Sequence, residues 1–378
     1  MAQVALALAF DDEPELPRGG ALPLPEPDSP ERTGFELGWD FARHGLVPPA
    51  EHLGGGCPLR QGWEAGLAST GQRAPRASRP ASRHVRKWLQ LRVQAWRRGR
   101  SFEGVQVTPH YLAQIDTAVC PVTRTAFTHA SGADTDASVD RVHNGAGYAA
   151  GNLAVISLRA NQAKADLRWD EARLMAVLAE QRPGGMADGL TAAEWARMAV
   201  LMSFVTPLPH EVAASLPLLM LPPNRLRLLN PIQGLQALVT RLLLQPGYAA
   251  ASQRLAELLP AGEVRRDFQL VFHSLLPRAW DAVRERDPLR LRQRLEDAWR
   301  DGALLRRWQR FARHLDAAQA EALVARAARS GLGGGPGGTV VQLHPTAQAT
   351  EGWALETGGY IASRAPVPRP LAHRVAQA

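Results

Sequence analysis

Between positions 120 and 166 the chain gathers side chains able to do chemistry. The run Ser138-Val139-Asp140-Arg141-Val142-His143-Asn144 puts a carboxylate, a guanidinium and an imidazole close together, and Arg159-Ala160-Asn161-Gln162-Ala163-Lys164 adds an amide and one of only two lysines in the chain. A neutral imidazole, with its ordinary pKa of about 6.5, can take a proton from water, so His143 is a candidate general base. His129, in the preceding segment, is a weaker one. A guanidinium stays protonated at neutral pH; Arg141 cannot activate a nucleophile, but it can hold two oxygens of a phosphate. Lys164 lies three residues beyond Asn161, on the same face of a helix, and is placed to reach phosphate as well.

The elements that must position these groups are legible from composition. Residues 138–142 and 153–158 are β-branched and apolar, the signature of strands. The polar, glycine-bearing residues between them form a loop, and Arg159 to Leu167 begins a helix with Leu167 and Leu174 directed inward. The order is strand, loop, strand, helix. Alternation along the first strand puts Arg141 and His143 on one face.

Read with Cys120-Pro121-Val122-Thr123, Gly147-Tyr148, Gly151-Asn152 and Asn161-Gln162-Ala163-Lys164, this segment resembles the HNH endonucleases, also called His-Me finger or ββα-metal nucleases, and in particular their phage-type members. The resemblance covers 45 of the 378 residues, with several motif pieces in register. It implies that Asp140 and Asn161 are ligands of a divalent cation, Mg²⁺ or Mn²⁺, and that Asn152 holds the loop through side-chain hydrogen bonds. A hard cation suits that pair, because one carboxylate and one amide oxygen leave positions for water and the scissile phosphate. The ion would neutralise charge on the transition state and on the departing oxygen. One departure stands out: the family's general-base histidine follows the aspartate directly, and here that position is Arg141. His143, two residues on, is the candidate replacement. Many relatives also hold zinc on two Cys-x-x-Cys knuckles; here position 123 is Thr, so zinc is not expected and Cys120 reads as a small buried apolar residue.

A basic helix precedes this unit. No Asp or Glu occurs from Ala65 to Phe102, and Val85, Trp88, Leu89, Arg92 and Trp96 recur at spacings of three and four. Arg83, Arg86, Lys87, Arg92, Arg97, Arg98 and Arg100 are candidate phosphate contacts, since each cation placed on a phosphate releases counterions. The net charge of +8 says less. Of 44 basic residues 42 are arginines, in a chain also rich in Ala, Leu, Gly and Pro, so basicity of the whole is largely compositional.

Residues 1–80, rich in proline and glycine, read as largely disordered; 81–182 hold the basic helix and the finger; 186–330 form a leucine-rich helical domain; 331–378 are a glycine-rich linker and tail with one short strand at Thr339 to Leu343. Helices are expected at Thr191 to Phe204, Pro231 to Leu244, Val264 to His273 and Ala317 to Arg329. Two cysteines exclude a disulfide-stapled secreted fold and any four-cysteine zinc site, and point to a cytoplasmic protein. No stretch reads as a membrane span, and no phosphate-binding glycine loop or dinucleotide fingerprint is present. The expected fold class is α+β and predominantly helical: a small ββα-metal finger followed by a helical domain. The expected function is metal-dependent hydrolysis of nucleic-acid phosphodiesters, DNA first. A binding module of the same fold without catalysis, and a helical interaction protein with a protein partner, are the alternatives.

Overall fold

The computed structural model describes residues 29–69, 71, 80–283, 287–332 and 346–361. The chain divides into two units, residues 1–77 and 78–378.

The first unit corrects the expectation of disorder over 1–80. Helix α1 (Pro30–Arg43) starts at an N-cap supplied by Ser29, with Pro30 in the first turn, and α2 (Pro58–Ser69) packs closely on it. Glycine is a packing device here. A Cβ on Gly38 would lie 1.9 Å from the Leu59 carbonyl oxygen and one on Gly62 1.8 Å from that of Phe35, so only glycine lets the two backbones meet. Leu37, Phe41, Leu59 and Leu67 are buried. Residues 1–28 lie outside the described residues.

The second unit begins with α3 (Arg83–Arg97), capped by Ser82, and α4 (Pro109–Ile115), capped by Thr108. Strands β1 (Ala137–Arg141) and β2 (Leu153–Ser157) follow, antiparallel, with Asp140 opposite Ala154. Ser157 closes β2 and caps the next helix, α5 (Leu158–Lys164), by accepting from Ala160 N. A two-stranded ribbon cannot bury a core of its own, and this one is covered on both sides. Ala137, Val139, Leu153 and Val155 face Leu91, Tyr111, Leu112 and Ile115 of α3 and α4. Val142, Ala154 and Ile156 belong to the main core, shared with the helices that follow.

Those helices are α6 (Trp169–Gln181), α7 (Ala192–Phe204), α8 (His210–Ser215), α9 (Pro231–Leu242), α10 (Tyr248–Glu257), α11 (Glu263–Val283), α12 (Pro288–Ala298), α13 (Gly302–Ala312), α14 (Ala317–Arg329) and the short α15 (Thr346–Ala349); two-residue strands at Met186–Ala187 and Leu190–Thr191 join α6 to α7. The described residues are predominantly helical, with two small two-stranded sheets. Trp195, Met198, Met202, Leu218, Leu219 and Leu221 are core. Leu174 is not: it is 62% exposed, and α6 buries Ala172 and Ala179 instead. Pro288 starts α12, since its missing N–H costs nothing in the first turn.

The finger and the helical region, read from sequence as separate domains, form one unit. Arg197 Nε donates to the Val122 carbonyl oxygen (2.5 Å), Arg124 pairs with Glu296 and Asp297, and Arg159 with Glu194. The tail also differs from expectation. Residues 346–361 return to the loop between β1 and β2: Trp353 is fully buried, its Nε1 donates to Ala150 O (3.1 Å), and Gly147 N donates to Trp353 O (2.8 Å). The strand expected at Thr339 to Leu343 lies outside the described residues. No described helix is long and apolar enough to cross a membrane.

Candidate functional site

A cleft of about 1430 Å³ runs between α3 and the β1–β2–α5 unit. Its α3 wall carries Arg83, Arg86, Lys87, Gln90, Gln94, Arg97 and Arg98, a single face at spacings of three and four, and Arg100 continues it. The opposite wall is β1 with Arg141, Asn144 and Asn161, and Leu91, Leu112, Val139 and Val155 supply apolar surface. Arg92 is not on this face; its guanidinium lies over the Trp88 ring, 4.5 Å from the centroid. Several cations are oriented by neighbours. Arg83 Nη2 donates to Asp116 Oδ2 (2.5 Å), which also meets His84 Nε2 (3.0 Å), and Arg83 Nη1 lies 3.0 Å from His129 Nε2. Arg100 donates to Gly358 O and lies over Tyr360. Lys87 is partly desolvated, and burial lowers its pKa.

Acid is present too. Asp136 accepts from Thr128 Oγ1 (2.6 Å), Ser131 Oγ (2.7 Å) and the Ser131 and Gly132 N–H groups, and these bonds hold its pKa at about 2.

The loop between the strands is tied by Asn152, which is fully buried. Its Oδ1 accepts from His143 N (2.8 Å), and its Nδ2 donates to His143 O (3.2 Å) and Gly147 O (3.1 Å). Neighbouring Gly151 has φ +87°, and a Cβ there would meet the Arg227 side chain at 2.2 Å, so glycine is required on both counts. Arg141 Nη1 donates to the carbonyl oxygens of Asn144 (2.9 Å) and Ala146 (2.6 Å), which leaves the guanidinium at the cleft edge beside Tyr148.

His143 is not where alternation along the strand placed it. Regular pairing stops at Arg141, the chain turns, and the imidazole packs against Trp353 at 6.3 Å between ring centroids. It does not line the cleft, its Nδ1 is buried without a hydrogen bond, and burial first, then the charges of Lys164 and Arg141, lower its pKa. The neutral ring is thus a packing element. The cleft histidines are His84 and His129.

Lys164 also differs from expectation. It is fully buried rather than offered to a ligand. Its Nζ donates to Asp140 Oδ1 (3.2 Å), Arg141 O (2.9 Å) and Asn144 Oδ1 (2.7 Å), and lies 3.1 Å from Asp140 Oδ2, off hydrogen-bonding angle. Burial raises the Asp140 pKa and lowers that of Lys164, and each partner's charge opposes the shift. An ammonium has one hydrogen for each of these three oxygens, and at 3.1 to 3.2 Å from both oxygens of Asp140 it is the counter-charge a buried carboxylate requires, so the pair is read as ionic. Asn144, not singled out from the sequence, completes it: its Nδ2 donates to Ala165 O (3.2 Å) and Leu167 O (2.8 Å), which points its oxygen at the lysine. Only the direction of a short polar loop side chain is at issue, and nothing in the sequence carries that signal.

As folded, these residues do not fit a divalent cation. The charge of Asp140 is already balanced at close range by an ammonium, and the unbonded Oδ2 is buried. Asn161, the other expected ligand, borders the cleft with its Nδ2 donating to Ser138 Oγ (2.8 Å). Among the described residues no three His, Cys, Asp or Glu side chains cluster as a metal site. Cys120 is buried, and its sulfur accepts from Thr123 N (3.4 Å) and Ser157 N (3.2 Å).

Comparison of the chain with protein-family models, with curated proteins and with solved structures finds no match.

Proposed function

We propose that this chain binds nucleic acid, DNA in the first instance, in the cleft between α3 and an HNH-like ββα unit. The observation that carries this reading is the convergence of six cations from Arg83 to Arg100 and of Arg141 on the walls of one cleft. A phosphodiester backbone laid there meets several guanidinium groups, those of Arg83, Arg86, Arg100 and Arg141, held by carbonyl or carboxylate neighbours, so these lose little side-chain entropy on binding. Affinity of this kind is sequence-tolerant and falls with salt.

Metal-dependent hydrolysis, the reaction implied by the resemblance, is the second reading. It is favoured by the position of Asp140 and Asn161 on the same cleft, and it requires Lys164 to release Asp140. In this reading Arg141 would steady a phosphate oxygen and Asn152 would keep the loop in place. The base would have to come from a cleft group other than His143.

Fluorescence anisotropy of a labelled duplex titrated with the full chain tests the first reading. Binding should weaken steeply with salt. Charge reversal at Arg86, Arg97 and Arg98 together should lower affinity at least tenfold and reduce the salt slope by about one for each phosphate no longer neutralised. Binding unaffected by the reversal overturns it. Supercoiled plasmid incubated with Mg²⁺ or Mn²⁺ decides the second: nicking abolished by Asp140→Ala and by Asn161→Ala supports hydrolysis, and no nicking removes it.

A further inference from the structure

The group that displaces the expected metal is itself informative. Around Lys164 Nζ stand a carboxylate, a main-chain carbonyl and an amide oxygen, from Asp140, Arg141 and Asn144, at 2.7 to 3.2 Å. A hard cation would take the same donor types. Most of the shell is placed by bonds that do not involve the lysine side chain: strand pairing sets the backbone of Asp140 opposite Ala154 and of Arg141 opposite Leu153, and the Asn144 amide is anchored on Ala165 and Leu167. The lysine reaches in from the last turn of α5, whose first turn is fixed by Ser157. In a chain with 42 arginines and two lysines, the compact point charge of an ammonium is what this shell accommodates; a planar guanidinium presents its five N–H groups as a fork and does not match it.

We infer that Lys164 is a built-in cation, occupying a preformed oxygen cradle that would otherwise take a divalent metal ion. The ammonium neutralises Asp140 and bonds β1, the following loop and α5 together at one point. The finger therefore keeps its native form without metal, and removing the side chain uncovers a cation site.

Lysine-selective ¹⁵N labelling of the full chain tests the native state. Only two side-chain ammonium signals exist, and that of Lys164 should be protected from exchange and unmoved by millimolar Mg²⁺ or Ca²⁺ or by EDTA. The melting temperature of the native chain should likewise not respond to either. Lys164→Gly, measured in EDTA, should melt about 10 °C lower, the shift expected when a buried pair in a domain of this size loses one partner. Millimolar Mg²⁺ or Ca²⁺ should restore a measurable part of that loss, and the restoration should vanish in the Lys164→Gly, Asp140→Asn double variant. Displacement of the Lys164 signal by Mg²⁺, or a rise in the native melting temperature with metal that Asp140→Asn removes, overturns the inference. So does a folded Lys164→Gly variant indifferent to both ions. If that variant does not fold, the native-chain measurements decide alone. None of these readouts involves nucleic acid, so failure here and failure of the cleft to bind are separately visible.

Discussion

Asp140 and Arg141 are neighbours on one strand, and they meet opposite environments. Asp140 turns toward α5, where Lys164 closes over it and only 7% of its surface stays exposed. Arg141 keeps its guanidinium at the cleft, tethered to two loop carbonyls by a single nitrogen. Alternation along β1 separates them, and the coverings decide the rest. A charge taken out of water must be matched at close range, whereas a charge at a wet edge needs only orientation and stays available. The buried Asp140–Lys164 pair is therefore a stability device, and the guanidinium of Arg141 is the charge that stays within reach of a ligand in the proposed reading.

Removing Asp140 should break this division most severely. Asp140→Ala leaves a buried ammonium without its counter-charge and is expected to cost about 3–5 kcal/mol in urea unfolding. Replacing the pair together, Asp140→Leu with Lys164→Met, should cost much less than the sum of the singles, because neither charge is then stranded. Asn152→Ala comes next: it strands the His143 N–H and two carbonyls and should cost about 2–3 kcal/mol. Arg141→Ala should cost only about 1 kcal/mol of stability while lowering nucleic-acid affinity, which is the reverse of the Asp140 result.

The smallest effect is the pH dependence from His143. Its folded pKa lies below the unfolded value of about 6.5, so the unfolded chain binds the proton first. Its contribution to stability is full above that value and is lost as pH falls through 6.5 toward the folded pKa. His143→Gln should flatten the stability curve in that window, and an unchanged slope would remove the assignment. If the variant instead loses nucleic-acid binding with stability intact, the ring has a part in the cleft after all.

Much of this architecture was legible in the residues. Runs of β-branched and apolar residues placed both strands within one residue, and the three-and-four spacing between Val85 and Trp96 placed α3. Strong local periodicity survives packing because packing uses the same faces. Contacts between distant segments leave no such trace. The return of Trp353 onto the loop crosses about 200 positions of sequence separation, the helical pair at 30–69 hides in glycines that resemble linker glycines, and the orientation of His143 depends on where β1 stops pairing.

By itself the sequence determined the element types around the candidate site, the acid-free basic helix, and the co-occurrence of Asp140, Arg141, Asn152, Asn161 and Lys164 at motif spacing. Tertiary structure alone decided which of those charges meets water and which meets another charge. Spacing along a chain specifies a face, but ionic state and availability depend on the dielectric surroundings and partners that come to that face from elsewhere. For Lys164 those surroundings turned a candidate phosphate contact into a fully buried partner of Asp140.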